Sequence, residues 1–350
     1  MSFIFIFLLF LFLSLALCLC ASVVFLSVVA VSVFEFSPCL RVSVVSVSVR
    51  RPMLIRIGSR GSALALWQAE HVKGRLEALG HTALIQVITT TGDRLLDKRL
   101  ESVGGKGAFL KEIEDALLAG DVDLAVHSLK DVPTVLPEGL ALAAVLERAD
   151  PRDALLSLGG QPFMALPAGA KVGTTSLRRQ AQIRGLRPDL VVADLRGNVD
   201  TRIRRLREGV FDAILLAMAG LARLGRAAEV TEVLDTAMML PAPGQGAIAL
   251  ECRASDEART AAVSPLLHEP TLRAVTAERA LLSALQGGCN VPLGAHAQLE
   301  GGTLWLRAFV ARPDGSTLIR GEGRGEAAEE LGQRVAADLL ARGARELLAS

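Results

Sequence analysis

The sequence predicts an α/β protein made of two lobes and a smaller closing unit. Short β-rich runs alternate with helix-patterned segments from Met53 onward, a break at Pro151 separates two series of this alternation, and the pattern changes again after residue 265. Such alternation is typical of parallel sheets with helices on both faces. The 350 residues are enough for two or three domains with substantial cores.

The first lobe begins with a predicted strand over 54–58 and a helix that Gly80 ends. A second strand over 83–88, a second helix ending at Gly120 and a third strand over 122–126 follow. The apolar positions that place the helices against a core are Ala65, Ala69, Val72, Leu76 and Leu79 in the first, and Leu110, Ile113 and Leu117 in the second.

The second lobe repeats this order beyond residues 144–156, which we interpret as the crossing between lobes. Its predicted strands lie near 170–174, 189–195 and 211–220, with helices from Leu177 and over 201–207. The closing unit is predicted to contain a helix with Leu272, Val275, Leu282 and Leu285 inward, a strand near 304–311, and a last helix carrying Leu331, Val335 and Leu339.

Residues 1–52 differ from the rest in composition. No charged residue precedes Glu35, and the apolar run is long enough to span a bilayer. It is a poor secretory signal, because a cationic start is missing and the apolar run is too long. Two interpretations stay open, namely upstream sequence included by a misplaced start, or a real membrane anchor. In both cases we interpret the chain from Met53 as an independent soluble unit.

Composition argues against several kinds of site. Outside residues 1–52 only Cys252 and Cys289 remain, and the five histidines are scattered, so neither a disulfide framework nor a metal site is predicted. A net charge of +1, 4% aromatic residues and the absence of tyrosine argue against nucleic-acid binding. Residues 103–109 lack the Ser or Thr that a P-loop needs after its lysine, so we interpret them as a glycine-rich loop over the cleft.

Short polar clusters follow the predicted strands, three in each lobe. Ligands of open parallel sheets bind outside the carboxyl ends of the strands, so we expect the two lobes to face each other across one cleft. The clusters are SRGS (59–62), TTTGD (89–93), HSLKD (127–131), TTSLRR (174–179), RGN (196–198) and AGLAR (219–223).

These clusters carry cationic side chains beside hydroxyls. A guanidinium is a planar fork that matches carboxylate or phosphate and stays charged when partly desolvated, so the set predicts a ligand with several negative groups. The cations are Arg60, Lys130, Arg178, Arg179, Arg196, Arg202 and Arg223, and the hydroxyl donors are Ser62, Thr174, Thr175 and Ser176. We interpret Arg184, Arg204, Arg205 and Arg207 as solvated helix faces.

Two further residues are candidates for chemistry. Asp131 is either a salt-bridge partner of the arginines or a proton-handling group that faces a cationic intermediate, with Asp93 and Asp97 as rival acids. Cys289 lies on the bare stretch GGCNVPLG (287–294), where glycines allow close approach of the backbone to a ligand. Its thiol is either inert or a covalent tether for that ligand.

Long motifs from about Ile55 to about Leu348 resemble the hydroxymethylbilane synthase family, also called the porphobilinogen deaminases. The motifs are GSRGSALALWQAE, VGGKGAFLKEIE, AVHSLKDVP, ERADPRDALLS, GTTSLRRQAQ, LRGNVDTR, AMAGLARLG, LPAPGQGAIALECR, TAERALLSALQGGCNVPLGAHA and ARPDG. Residues 1–52 lie outside the resemblance.

The resemblance implies two periplasmic-binding-protein-like lobes around a cleft, plus a small C-terminal α+β domain. The division that we expect is 53–148 with 245–265, then 149–244, then 266–350, with 1–52 as a separate extension. It also implies a transferase of tetrapyrrole and heme biosynthesis. This enzyme deaminates four porphobilinogen molecules, joins them head to tail on a dipyrromethane cofactor, and releases hydroxymethylbilane by hydrolysis.

Residue roles follow from the same resemblance. Cys289 matches the cysteine that holds the dipyrromethane through a thioether. Asp131 matches the catalytic aspartate, which helps to protonate the leaving amine, to stabilise an azafulvene-type cation and to assist deprotonation. The positions that match cofactor- or substrate-binding residues are Arg60, Ser62, Lys130, Thr174, Thr175, Ser176, Arg178, Arg179, Arg196, Asn198, Arg202 and Arg223, with Gln68, Lys106 and Phe109 near the mouth of the cleft or its loop.

We expect a cytoplasmic monomer that acts on the small molecule porphobilinogen and binds no nucleic acid. Membrane association is expected only if residues 1–52 are truly translated. The alternative is a non-enzymatic anion-binding protein, exported and tethered by the extension. Such a protein would share the two lobes and the basic cleft, but Cys289 would have no function in it.

Overall fold

A computed structural model describes residues 52–90, 110–285 and 291–348 of the chain. The strands are β1 (Leu54–Ser59), β2 (Thr82–Val87), β3 (Leu124–Ser128), β4 (Leu140–Val145), β5 (Asp153–Ser157), β6 (Lys171–Gly173), β7 (Val191–Ala193), β8 (Ala213–Ala217), β9 (Glu232–Leu234), β10 (Ile248–Arg253), β11 (Leu293–Glu300), β12 (Thr303–Ala311) and β13 (Leu318–Gly325). The α-helices are α1 (Ala63–Ala78), α2 (Lys111–Ala119), α3 (Leu177–Leu186), α4 (Val199–Arg207), α5 (Met218–Arg223), α6 (Glu257–Val263), α7 (Glu269–Ala284), α8 (Ala328–Ala341) and α9 (Ala344–Leu348).

The first lobe is built on a sheet with the strand order β2-β1-β3-β10-β4. Strand β1 is parallel to β2 and β3, whereas β10 is antiparallel to β3 and β4. The helical spacing of Ala69, Val72 and Leu76 is confirmed, because all three are fully buried under this sheet. Leu79 is exposed, since it follows the last turn of α1 as its C-cap.

The second lobe has the same arrangement, with the strand order β7-β6-β8-β5-β9. Strand β6 is parallel to β7 and β8, and β5 is antiparallel to β8 and β9. The expectation of wholly parallel sheets is therefore wrong for β5 and β10. These are the first strands after each crossing between lobes, so no helical crossover fixes them parallel to their neighbours.

The third domain is an antiparallel sheet, β11-β12-β13, on which α7 and α8 pack. Leu331, Val335 and Leu339 of α8 are buried in its core, as their spacing predicts. Strands β11 and β13 were not predicted. The glycines and charged residues of β13 interrupt the apolar pattern that would have identified it, yet they let α8 lie close, since a Cβ on Gly323 would be 2.9 Å from Val335.

The end of strand β8 and the character of the helices remain to be described. The predicted strand over 211–220 ends at Ala217, and α5 follows it directly. Among the helices of the described residues, none combines the length and the apolar character that a membrane crossing requires. Residues 1–51 lie outside the described residues, so both interpretations of the extension stay predictions.

Candidate active site

Gln245, on the segment that returns to the first lobe, joins the polar clusters of both lobes. Its Nε2 donates to Asp153 Oδ1 in the second lobe at 2.8 Å, and its Oε1 accepts a hydrogen bond from Lys130 Nζ in the first lobe at 3.4 Å. The expectation that the clusters face each other is confirmed at this junction. The sequence analysis missed Gln245. The two flanking glycines were the available signal, and in the structure both Gly244 and Gly246 have a positive φ, 72° and 91°.

Arg178 and Arg179, near the start of α3, are buried against Asp153. Nη1 of Arg178 and Nη2 of Arg179 each donate to an Asp153 carboxylate oxygen at 2.7 Å. Burial acts to raise the pKa of Asp153, but the two guanidiniums outweigh it and hold that pKa well below its usual range. One carboxylate thus faces two cations, and their buried Nε atoms hydrogen-bond to no other described residue. The group retains positive charge that an anion can balance.

Arg202, on α4, lies within electrostatic reach of both Arg179 and Asp131. Its Nε donates to the Gly197 carbonyl at 2.7 Å. Burial, followed by the charge of Arg179, lowers the pKa of Arg202 to about 10, while the charge of Asp131 opposes this shift. The charge of Asp131 in the first lobe thus acts on a desolvated guanidinium of the second.

Arg223 ends α5 and reaches the other lobe. Its Nη2 donates to the Gly246 carbonyl at 2.7 Å, and its guanidinium carbon lies 5.8 Å from the ring centroid of Trp67 on α1. Burial lowers the pKa of Arg223 to about 10. A cation that burial disfavours in this way gains from a bound anion.

Asp131 is half-buried at the end of a 3₁₀ turn, Leu129–Asp131, directly after β3. Arg279 of α7 clamps the chain beyond it, with Nη1 donating to the Val132 carbonyl at 3.0 Å and Nη2 to the Pro133 carbonyl at 2.6 Å. The third domain thus fixes the two peptide groups that follow the candidate acid. No pattern in the sequence identifies Arg279, because its partners lie 146 and 147 residues away.

Two predicted donors begin helices at the carboxyl ends of strands. Ser62 accepts a hydrogen bond from the Ala65 N–H at 3.4 Å at the start of α1, and Asn198 accepts one from the Thr201 N–H at 2.9 Å at the start of α4. Their side chains are therefore caps, and the helix N-termini behind them favour negative charge nearby.

The hydroxyl cluster before α3 is held by local hydrogen bonds. Buried Thr174 accepts from the Ser176 N–H at 3.2 Å, and Thr175 donates to the Leu195 carbonyl at 3.4 Å. Ser176 is the N-cap residue of α3, and its side chain makes no capping hydrogen bond. This leaves the Ser176 hydroxyl as the member of the cluster best placed to donate to a ligand.

The remaining predicted residues fall into three groups. Arg60 and Arg196 are half-buried, and the Arg196 guanidinium makes no hydrogen bond to another described residue. Gln68 is buried and donates to Ser128 Oγ at 2.9 Å, so it supports the end of β3. Lys106, Phe109 and Cys289 lie outside the described residues, as do the rival acids Asp93 and Asp97.

The flanks of the segment that contains Cys289 are described. Leu285, which follows α7, is buried in the core of the third domain. On the other side Pro292 is buried, and its carbonyl accepts a hydrogen bond from the Ala311 N–H at 3.0 Å. Leu285 and Pro292, which flank residues 286–290, are thus both held in the third domain.

One expectation about the surface arginines is wrong. Arg184 is half-buried and donates to the Pro313 carbonyl, because a turn of the third domain packs on α3 at this point. Arg204, Arg205 and Arg207 are exposed, as predicted. Within the described residues, no group of His, Cys, Asp and Glu side chains could hold a metal ion.

Fold and site together define a two-lobed α/β protein with a cationic cleft, braced by a third domain. Residues 55–261 match the family model described as "Porphobilinogen deaminase, dipyromethane cofactor binding domain", and residues 272–341 match "Porphobilinogen deaminase, C-terminal domain". A porphobilinogen deaminase from Syntrophobacter fumaroxidans is 53% identical over 299 residues, which are 84% of this chain and 97% of that protein. The chain belongs to the porphobilinogen deaminase family. The predicted family, enzyme class, tetrapyrrole-forming activity and dipyrromethane cofactor are thereby confirmed.

Solved structures that resemble the chain are more distant. A putative lipoprotein from Actinomyces odontolyticus has 15% sequence identity and a TM-score of 0.39, covering 62% of this chain and 91% of that one. A periplasmic substrate-binding protein of an ABC transporter from Coxiella burnetii has 14% identity and a TM-score of 0.39, covering 64% and 96%. The strand order of the two lobes and the sheet of the third domain confirm the predicted fold class.

Proposed function

We propose that the chain deaminates four porphobilinogen molecules, joins them head to tail on a dipyrromethane held through a thioether to Cys289, and releases hydroxymethylbilane. The observation that supports this most directly is the electrostatic interaction between Arg202 of the second lobe and the carboxylate of Asp131 in the first. A cytoplasmic monomer that binds no nucleic acid is part of the same proposal.

The described residues fit a dipyrromethane. Each pyrrole carries an acetate and a propionate, so the cofactor and the growing chain are polyanions. Arg202 and Arg223 are desolvated cations with lowered pKa values, and the buried Nε atoms of Arg178 and Arg179 hydrogen-bond to no other described residue. These donors are suited to several carboxylates held at once.

Binding is assigned to the residues around these arginines. Arg178, Arg179, Arg202 and Arg223 hold the acetate and propionate groups in this proposal. They are assisted by Arg60, Lys130 and Arg196, by the hydroxyls of Thr174, Thr175 and Ser176, and by the helix N-termini at Ser62 and Asn198. When bound, the dipyrromethane supplies the covalent starting point on which the chain is built.

Asp131 handles protons in this proposal. In its ionised form it stabilises a cationic azafulvene-type intermediate and accepts the ring proton after each coupling. In its protonated form it donates to the leaving amine. The 3₁₀ turn and Arg279 hold the backbone on which this carboxyl group is carried.

The test is Asp131→Asn, with Asp121→Asn as a matched control at an exposed aspartate of the same lobe. We expect Asp131→Asn to retain the cofactor by intact mass and to lose about 100-fold or more in turnover, while Asp121→Asn stays near the parent. Turnover of Asp131→Asn within a few-fold of the parent would remove Asp131 from the proposal. Products analysed by mass spectrometry should show one linear tetrapyrrole per four porphobilinogens consumed, and another ratio would contradict the proposed stoichiometry.

A further inference from the structure

A cavity lies between the second lobe and the third domain. Its volume is about 670 Å³. The segment after β9 forms one wall, with Thr236 and Leu240, and strands β12 and β13 together with α8 form the others. Its charged lining residues are Arg307, Arg320, Arg342, Glu322 and Asp338.

The carboxylates of this cavity are already engaged. Arg342 Nη1 donates to Asp338 Oδ2 at 2.9 Å, and the Trp305 indole N–H donates to Glu322 Oε2 at 3.3 Å. Neither Arg307 nor Arg320 forms an ion pair with any residue in the described part of the chain. Glu322 also forms no ion pair within the described residues, so three guanidiniums face two carboxylates and the lining keeps a net positive charge.

Arg307 is the more constrained of these two cations. Its guanidinium stacks on Trp305, 4.4 Å from the ring centroid. Its Nη2 donates to Thr236 Oγ1 at 2.8 Å and to Gln298 Oε1 at 3.2 Å, and lies 3.5 Å from His296 Nδ1. Its Nε is buried and hydrogen-bonds to no other described residue. A desolvated donor without an acceptor is unfavourable, so an acceptor that enters the cavity would be stabilised.

We propose that this cavity binds a small oxyanion, the phosphate or carboxylate group of a soluble metabolite, through Arg307 and Arg320. A guanidinium pairs with both groups through parallel hydrogen bonds, and Trp305 fixes the plane of Arg307. The volume of the cavity exceeds that of a single anionic group, so the anion can belong to a larger molecule.

Leu240 connects this cavity to the candidate active site. Its carbonyl accepts hydrogen bonds from Arg178 Nη1 at 2.6 Å and from Gln182 Nε2 at 3.1 Å, and its N–H donates to Gln182 Oε1 at 2.8 Å. An anion that shifts the Thr236–Leu240 segment therefore moves an acceptor of Arg178. The regulatory consequence rests on the proposed function, whereas the binding itself does not.

Binding can be measured through Trp305, because Trp67→Phe leaves it as the single tryptophan of the chain. The purified holoenzyme with this substitution is titrated with inorganic phosphate and, separately, with succinate, against sodium chloride at equal ionic strength. We expect a saturable fluorescence change with at least one oxyanion and none with chloride. Saturation by phosphate alone identifies a phosphate group, and saturation by succinate alone identifies a carboxylate.

Two substitutions and one matched control test the site. Arg307→Met should weaken the apparent affinity at least tenfold. Exposed Arg320→Met should weaken it as well, and this variant preserves the domain contact of Arg307. Arg324→Met is the control, because Arg324 also lies over Trp305, at 5.0 Å, but does not line the cavity. No saturable change with either oxyanion, or equal affinities in Arg320→Met and Arg324→Met, would overturn the proposal.

The effect of the bound oxyanion on catalysis is measured separately. Saturating oxyanion should change the KM for porphobilinogen in the parent enzyme and leave it unchanged in Arg320→Met. A parent KM that does not respond would refute the coupling through Leu240. Because fluorescence reports binding without turnover, an inactive enzyme that still binds would contradict only the proposed function.

Discussion

Glu278 of α7 is expected to be the most sensitive polar residue in the junction of the three domains. Its side chain is 0% exposed and pairs with Arg148, whose Nη1 and Nη2 donate to its two oxygens at 2.6 Å and 3.2 Å. It also accepts the N–H groups of Gly244 at 2.6 Å and Ala297 at 2.8 Å. One carboxylate therefore ties both segments that cross between the lobes to strand β11.

Glu278→Gln keeps the volume and removes the charge. The buried Arg148 guanidinium then lacks its counter-ion, and the new amide N–H₂ faces backbone N–H donors in place of an acceptor. Breaking one side of a buried ion pair costs about 3–5 kcal/mol of the free energy of unfolding. Most of this penalty comes from the charge left behind, so adding Arg148→Met to Glu278→Gln should recover part of it.

Urea denaturation of the parent and the variants measures these changes in the free energy of unfolding. Glu208→Gln is the matched control, since its pair with Arg204 has the same character, at 2.8 Å, but its side chains are 63% and 47% exposed. That control should lose about 1 kcal/mol or less. If Glu278→Gln loses no more free energy of unfolding than the control, the reasoning is refuted. It is also refuted if the double variant is less stable than Glu278→Gln by about 3–5 kcal/mol.

Two further predictions concern the site and the pH response. Arg279→Met should lower kcat about 10- to 100-fold with little change in KM, because the peptides after Asp131 lose their clamp, and Arg279→Lys should restore part of the rate. Arg273→Met, which removes carbonyl contacts of the same helix to Gly302 and Glu326, should leave kcat near the parent, and equal effects of the two Met variants would contradict the positioning role. Burial lowers the pKa of His296 to about 4, so the unfolded chain binds the extra proton more readily, and stability should fall by up to about 3 kcal/mol as pH drops from about 6.5 to 4. Urea denaturation across this range should show a weaker acid response in His296→Gln, and an unchanged response would contradict the assignment.

The fold could be predicted as far as local periodicity extends. The buried positions Ala69, Val72, Ile113, Leu117, Leu331, Val335 and Leu339 follow from helical spacing, because a helix repeats its inner face every three to four residues. The antiparallel insertion of β5 and β10 could not be predicted, since a strand's own residues do not encode the direction of its neighbours. Strand β13 was missed because its glycines and charges reflect packing against α8 rather than an apolar run.

The cationic residues of the site could be predicted from the sequence. The residues that hold the site together could not. Polar clusters at the ends of strands are a local signal, and they identified Arg178, Arg179 and Arg223. The residues that hold the site together, Asp153, Gln245 and Arg279, come from distant parts of the chain, so no local spacing connects them to the clusters. One signal was available for Asp153, because a carboxylate at the head of the apolar run DALLS is tolerated in a buried strand only when it is paired.

The intact mass of the purified protein tests most directly whether Cys289 carries a covalently attached primer. It requires expression in a host that makes porphobilinogen. The parent should be heavier than its polypeptide by two linked pyrrole units. Cys289→Ala should have the bare mass, and Cys252→Ala, at a buried cysteine of the first lobe, should retain the added mass. A parent protein of bare polypeptide mass, or an added mass that survives Cys289→Ala, would contradict the account.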